Sequence, residues 1–253
     1  MSLRFCALAS GSRGNALLVE HGDTLIMIDC GLPLSSLEKR FAAVGRRIDE
    51  LDAVLITHEH GDHSRGIAAL KRGRELEFRA TPGTARAVEA IGSDSRLRLD
   101  RELAIGSISV APYPVPHDAR EPCQFVFRAG GRRLGVLSDA GHATPVIRQA
   151  LASCDALAIE FNHDAGMLEN GSYPASVKAR VGSRFGHLSN SQAAELLADL
   201  VHPELQSVMA LHRSERNNSP ELVRRAVGRA TAGSRVEFRM ADQDAPTDWV
   251  EVA

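Results

Sequence analysis

Apolar residues near the start of the chain fall in short runs, over residues 4–9, 15–20 and 23–29, separated by turns at Gly11, Gly14 and Gly22. This spacing predicts a three-strand meander. The period then changes. Leu37, Phe41 and Ala42 recur at helical intervals and predict a helix over 35–44, after which Ala53-Val54-Leu55-Ile56-Thr57 reads as a buried strand. Helical patterns over 64–71 and 84–91 flank a short strand around Phe78, and strands are predicted over 108–115, 124–128 and 132–138. The second half alternates in the same way, with helices over 144–151, 175–181, 191–200 and 220–230 and strands over 156–161 and 207–211. Mixed strands and helices without a long polar or Pro/Ser-rich stretch predict one domain over residues 1–253. The expected class is α/β (α+β), with two packed sheets covered by helices in a four-layer αββα sandwich. The tail from Ala241 is expected to be irregular, with the single Trp249 as a packing anchor.

Composition adds exclusions. The 43% hydrophobic residues and 21 glycines together make about half the chain, which excludes general disorder. Apolar runs such as 16–19 and 25–28 are far shorter than the roughly 20 residues that cross a bilayer, so no membrane association is expected. The N-terminus soon reaches Ser10-Gly11-Ser12-Arg13 and lacks the apolar region of a secretory signal, which predicts a cytoplasmic protein. Four cysteines without a C-x-x-C pair are expected to be buried thiols. A net charge of −2 gives no global attraction to a polyanion, so any such partner must meet a local patch.

The segment Thr57-His58-Glu59-His60-Gly61-Asp62-His63 gathers three imidazoles and a carboxylate directly after a buried strand. Imidazole with carboxylate is a donor set that zinc, manganese and iron accept. Glu59 lies between ligands that would face one way in an extended turn, so it is expected to point elsewhere. Three further donors follow apolar runs: His117, Asp139 and His212. Seven nitrogen and oxygen donors with no thiolate suit two divalent ions ~3.5–4 Å apart, bridged by a carboxylate and a water or hydroxide.

With Asp29 at the end of residues 24–28, this series resembles the metallo-β-lactamase superfamily over most of the chain. The resemblance implies His58, His60 and His117 on one metal, Asp62, His63 and His212 on the other, and Asp139 between them. Asp29 would accept a ring N–H and fix the tautomer of a ligating histidine. The metals implied are two divalent ions, zinc or manganese, with iron also suited. β-Lactamases of this fold lack the bridging Asp, so Asp139 tells against that activity. Phosphodiesterases, nucleases and glyoxalase-like thioester hydrolases remain.

Phe185-Gly186-His187-Leu188-Ser189-Asn190-Ser191-Gln192 narrows that choice. Ser189 and Gln192 have capping-box spacing, and the amides of the helix start, at Ser189 and Asn190, suit a phosphate. A cap without substrate is the alternative. His187, just outside, is expected to pair with a phosphoryl oxygen or protonate a leaving alkoxide. Lys178, Arg180, Arg184, Arg213 and Arg216 supply local positive charge, with Lys178 expected at the substrate. The segment looks like the H-S-T element of tRNase Z relatives, and its wording is closer to the YycJ-like (WalJ) branch. Residues 8–15, Glu160-Phe161-Asn162-His163-Asp164, Tyr173-Pro174 and residues 211–218 agree with that branch.

Resemblance to the branch implies a 5′ to 3′ exonuclease acting on DNA, with RNA as the alternative polymer. Asp62 would orient or deprotonate the attacking water. Arg213 and Arg216 stand where the branch has an apolar residue and an acid, which bears on substrate contacts rather than metal binding. Two rivals share the metal cluster: a small-molecule hydrolase of cyclic nucleotides or thioesters, and a non-catalytic regulatory metal-binding protein. His163 fits either a contact to ligand or phosphate or a structural hydrogen bond, and His21, His142 and His202 are expected at the surface. The 10–15 loop fits either an approach to phosphate or a tight turn.

Overall fold

Runs in the central strands of this chain are nearly continuous in apolar residues because those strands are covered on both faces. The computed structural model describes residues 1–92 and 97–253. Its strands are β1 (Leu3–Ala9), β2 (Ala16–His21), β3 (Thr24–Ile28), β4 (Ala53–Ile56), β5 (Glu77–Ala80), β6 (Leu103–Ile105), β7 (Ile108–Pro114), β8 (Cys123–Ala129), β9 (Arg132–Leu137), β10 (Ala156–Glu160), β11 (Ser207–Leu211), β12 (Glu237–Met240) and β13 (Val250–Val252). The helices are α1 (Leu34–Ala43), α2 (Gly61–Ser64), α3 (Ile67–Lys71), α4 (Pro82–Ala87), α5 (Pro145–Leu151), α6 (Ala165–Asn170), α7 (Ala175–Val181), α8 (Asn190–Leu200) and α9 (Pro220–Ala230).

One sheet has the order β13-β1-β2-β3-β4-β5 and the other β12-β11-β10-β9-β8-β7-β6. Each joins an antiparallel meander to a parallel section, β3 to β5 in the first and β9 to β12 in the second. Side-chain alternation sorts the layers. Phe5 and Ala7 of β1 and Ala53 and Leu55 of β4 pack between the sheets with Phe125, Phe127 and Val136. Their neighbours Cys6, Leu8, Val54 and Ile56 pack outward with Leu37 and Phe41 of α1. On the far side, Leu157 and Ile159 of β10 pack with Ile147 of α5, Leu196 of α8 and Val223 of α9. The αββα arrangement expected from the sequence is the one observed.

The tail departs from expectation. Val250–Val252 forms β13 and pairs antiparallel with β1, Leu3 opposite Val252, in the segment predicted to be irregular. Three residues in a buried-exposed-buried pattern carry too little periodicity to read alone, and the strand exists because β1 offers an unpaired edge. The short edge strands β6 and β12 and helix α6 were likewise not predicted. Trp249 anchors the tail, its Nε1 donating to the Val44 carbonyl at 2.9 Å while the Arg4 guanidinium lies 4.5 Å from its ring centre. All four cysteines are buried and unpaired. No described helix is long and apolar enough to cross a membrane.

Trp249→Ala removes the ring, its hydrogen bond and its cation contact, so it should destabilise the chain by about 2 kcal/mol, less than a fully buried aromatic because the ring is half-buried. Urea unfolding followed by circular dichroism measures this, and an unchanged midpoint would contradict the anchoring role.

Candidate metal centre

The carboxyl ends of parallel strands from both sheets meet at one edge, where such folds gather polar side chains. Asp29 follows β3, Thr57 and His58 follow β4, Asp139 lies two residues past β9, Glu160 ends β10 and His212 follows β11. Asp29, Asp139 and His212 have φ of 62°, 50° and 51°. This left-handed backbone is disfavoured for residues with a Cβ by about 1 kcal/mol or more each. Three of the four non-glycine residues with positive φ among the described residues therefore lie in this cluster.

The H-x-H-x-D-H segment is not the extended turn expected from its sequence. His60 caps α2, and Asp62 and His63 lie within that helical turn. Asn15 N–H donates to the Asp62 carbonyl at 2.8 Å and Cys30 N–H to the His63 carbonyl at 2.7 Å, tying the turn to the loops after β1 and β3. Gly31 lets these loops touch, since a Cβ there would sit 1.7 Å from the Asp62 carbonyl oxygen. Glu59 points away, as expected, accepting from Arg120 N–H at 2.9 Å.

Donor atoms converge in two sets, one of His58, His60 and His117 and one of Asp62, His63 and His212, each within 4.8 Å of one another. Asp139 is grouped with His58 and His63 in a third set that joins them, and with Glu160, His187 and His212 in a fourth. Its Oδ2 lies 3.1 Å from His63 Nε2 and its Oδ1 3.2 Å from His212 Nδ1. Second ring nitrogens are tied elsewhere, which fixes orientation. His63 Nδ1–H donates to Asp29 Oδ2 at 2.7 Å, and His117 Nδ1–H to the Gly186 carbonyl at 3.0 Å. His58 Nδ1 lies 3.0 Å from Thr57 Oγ1, and His212 Nδ1 lies 3.1 Å from Glu160 Oε1. The Nε2 atoms of His58 and His212 are buried without a hydrogen-bond partner. Buried orphan nitrogens beside carboxylates, with no thiolate nearby, fit a hard or borderline divalent cation.

The charge balance agrees. Burial opposes protonation of His63 and His212, yet Asp139 with Asp29 or Glu160 outweighs it, holding His63 well above the usual imidazole range and His212 at about 10. The same pairing drives Asp139 well below the usual carboxylate range and Glu160 to about 2, against their own burial. His58 and His117 are instead lowered, chiefly by burial, and remain neutral donors. Protons thus collect where the carboxylates are densest, and cations would compete for those positions.

Glu160 was not singled out from the sequence. It is wholly buried and accepts from His187 Nδ1 at 2.7 Å and from the amide of Leu188 at 3.0 Å. Its position at the end of an apolar strand was the available signal, shared with Asp139 and His212. His187 lies against the cluster, its ring centre 5.3 Å from His117 and 5.2 Å from His212.

Other expected substrate groups are occupied. Ser189 Oγ accepts from Gln192 N–H while Gln192 Oε1 accepts from Ser189 N–H, completing the capping box. Asn190 N–H donates to the His163 carbonyl at 2.8 Å, and the Asn190 and Asn218 side chains bond each other. The helix start therefore does not offer these amides to a phosphate, because its own cap and a buried amide pair use them. Lys178 is not brought to the cluster either, since its Nζ donates to the Glu169 carbonyl at 2.8 Å. Arg180 of the same helix pairs with Asp118, whose Oδ1 is 3.4 Å from His117 Nε2. The 10–15 loop braces the site from below, Ser10 Oγ accepting from His212 N–H and Asn15 Nδ2 lying 3.1 Å from His63 Nε2. His163 is buried and its peptide bridges to Ser189.

Residues 24–212 match the Beta-lactamase superfamily domain. The exodeoxyribonuclease YycJ of Bacillus anthracis is 32% identical over 259 aligned positions, covering 98% of each chain. The exodeoxyribonuclease WalJ of Streptococcus pneumoniae is 29% identical, covering 98% of this chain and 96% of that one. Among solved structures, the metallo-beta-lactamase fold protein YhfI of Bacillus subtilis superposes with a TM-score of 0.76 over 98% of this chain and 99% of its own, at 15% identity, a likeness of fold.

Gly31→Ala should push the α2 turn away from Asn15 and lower both bound divalent metal, by elemental analysis, and the thermal midpoint. Gly228→Ala is the control, because a Cβ at Gly228, within α9, meets nothing within 4 Å and alanine favours a helix. Equal behaviour of the two variants would refute the close-contact role of Gly31.

Proposed function

The chain belongs to the β-lactamase superfamily, and we propose from that premise that it is a metal-dependent phosphodiesterase that degrades DNA from the 5′ end with two divalent ions. His58, His60 and His117 would hold one ion, Asp62, His63 and His212 the other, with Asp139 shared. The observation that carries this reading is the position of Asp139 between two donor sets, in a pocket where Asp29, Asp62, Asp139 and Glu160 gather four carboxylates. Two dications would match that charge. Zinc, manganese or iron would suit the donors, and when bound they would act as Lewis acids on the phosphoryl oxygens and lower the pKa of water. The exodeoxyribonuclease names of the relatives support DNA as the polymer.

The chain's own residues supply orientation and a proton. Asp62, with 23% of its side chain exposed, accepts hydrogen bonds at the edge of the cluster and would orient the attacking water. His187 Nδ1–H donates to Glu160 Oε1, which leaves Nε2–H to protonate the departing oxygen. Burial opposes the charged ring, but Glu160 and then Asp139 raise the His187 pKa, so the acid form persists to higher pH. Glu160 acts through His187 as a positioning residue.

Metal-reconstituted protein given strands labelled at the 5′ or the 3′ end should release labelled mononucleotide first from the 5′ label, and chelation should abolish release and lower the thermal midpoint. Initial release from the 3′ label would overturn the polarity. Hydrolysis confined to cyclic nucleotides or thioesters would overturn the nuclease reading, as would inertness of the loaded protein.

His187→Ala should retain metal and lose about 10²–10⁴-fold in kcat on DNA, with a much smaller loss on a p-nitrophenyl phosphodiester, whose leaving group needs no proton. Glu160→Gln removes the charge that raises the His187 pKa, so the basic limb of the kcat profile should move to lower pH. An unmoved limb would contradict the pairing.

A further inference from the structure

Among the eight phenylalanines, seven are buried or half-buried, and Phe185 is 57% exposed. The other exposed large apolar side chains among the described residues are Met1, Val146 and Val177, none of them aromatic. An isolated exposed apolar residue needs no explanation by itself. Its backbone supplies one. The Phe185 carbonyl accepts from Asp118 N–H at 2.9 Å, and the next carbonyl, of Gly186, accepts from His117 Nδ1. His187 N–H donates to the Val181 carbonyl at 3.0 Å. Added Cβ atoms at Gly141 and Gly186 would lie 2.3 Å from Arg184 and 2.2 Å from Val181 respectively, so this segment is wedged between the loop after β9 and the end of α7. A rigid backbone therefore presents an open aromatic ring one residue from a carbonyl that orients a cluster histidine and two residues from the proposed acid.

We propose that Phe185 is a stacking platform for a nucleobase of the bound strand next to the scissile phosphate, a contact that rests on the nuclease reading above. A base presents a flat π-face that one ring can cover, and such stacking tolerates any sequence, as a sequence-indifferent exonuclease requires. Arg184, the preceding residue, whose Nη2 lies 3.5 Å from His142 Nε2, adds positive charge beside the ring, whereas Arg180 is paired with Asp118. Preorganisation gives the wedge a purpose, because a backbone held before binding leaves only the ring's own rotation to be ordered when a base lands on it.

The test compares wild type with Phe185→Ala and Phe185→Trp, metal-loaded, on single-stranded DNA with 2-aminopurine at its 5′ end, whose quenching reports stacking, and on the same strand with abasic residues there, binding to both being followed by anisotropy. Phe185→Ala should raise KM and Kd on the natural strand about tenfold and abolish the quenching, Phe185→Trp should preserve both, and the gap between variants should close on the abasic strand. Equal loss on both strands, no loss on either, or a lowered thermal midpoint in Phe185→Ala would overturn the proposal. A change of sedimentation between wild type and Phe185→Ala would assign the ring to contact between copies instead. Quenching without cleavage would sink the nuclease reading and leave the stacking intact, and cleavage indifferent to Phe185 would do the reverse. A wild type that neither binds nor cleaves DNA would sink both.

Discussion

Negative charge taken out of water is the constraint on which this structure turns. Asp29, Asp139 and Glu160 are 3%, 2% and 0% exposed, and Asp62 adds a fourth carboxylate at their edge. Buried carboxylates are costly unless paired and hydrogen-bonded. Six imidazoles, from His58, His60, His63, His117, His187 and His212, surround them, and the protein holds three of these rings charged-leaning and two neutral. That asymmetry is what a cation site needs, because neutral rings offer lone pairs while carboxylates supply the field. A well-satisfied neutral core would have been easier to fold and would bind nothing.

Meeting that constraint explains features that look unrelated in the chain. Left-handed backbone at Asp29, Asp139 and His212 bends each chain sharply as it leaves a parallel strand. Strain of that kind persists only where surrounding structure fixes it, and here Thr57 bonds Asp29, Ser138 bonds Asp139 and Ser10 bonds His212. Gly31 removes the one Cβ that would separate the first-strand loop from the α2 turn. Turn, loop and strand end are thus parts of a single brace.

Much of this was legible in the sequence. Two faces of burial gave continuous apolar runs, and donors at the ends of those runs marked the shared edge, so His117, Asp139 and His212 could be placed with H-x-H-x-D-H from the chain alone. The features that could not be read depend on partners distant in the chain. β13 is a strand because Leu3 and Phe5 are there to pair with it. Glu160 reads as one more polar residue after an apolar run until His187, Leu188 and Ala140 are seen to donate to it. The capping box at Ser189 and Gln192 was visible, but the occupation of its amides depends on His163 and Asn218 lying against the same turn.

That occupation changes how a polymer would be held. A helix start with free amides grips any phosphate and is indifferent to the group esterified to it. With Ser189 and Asn190 satisfied internally, phosphate recognition under the proposed function would fall to the cluster itself and to His187 and Arg184 beside it, since Arg180 is paired with Asp118. Cations bind a phosphoryl group without regard to its ester, so discrimination between a nucleic acid and a small phosphodiester has to come from groups beyond the cluster. The segment from Arg180 to His187 holds the proposed acid, an exposed aromatic ring and two guanidinium groups on one wedged stretch of backbone. Under the proposed function its composition, more than the ligand set, would decide which phosphodiester the site accepts.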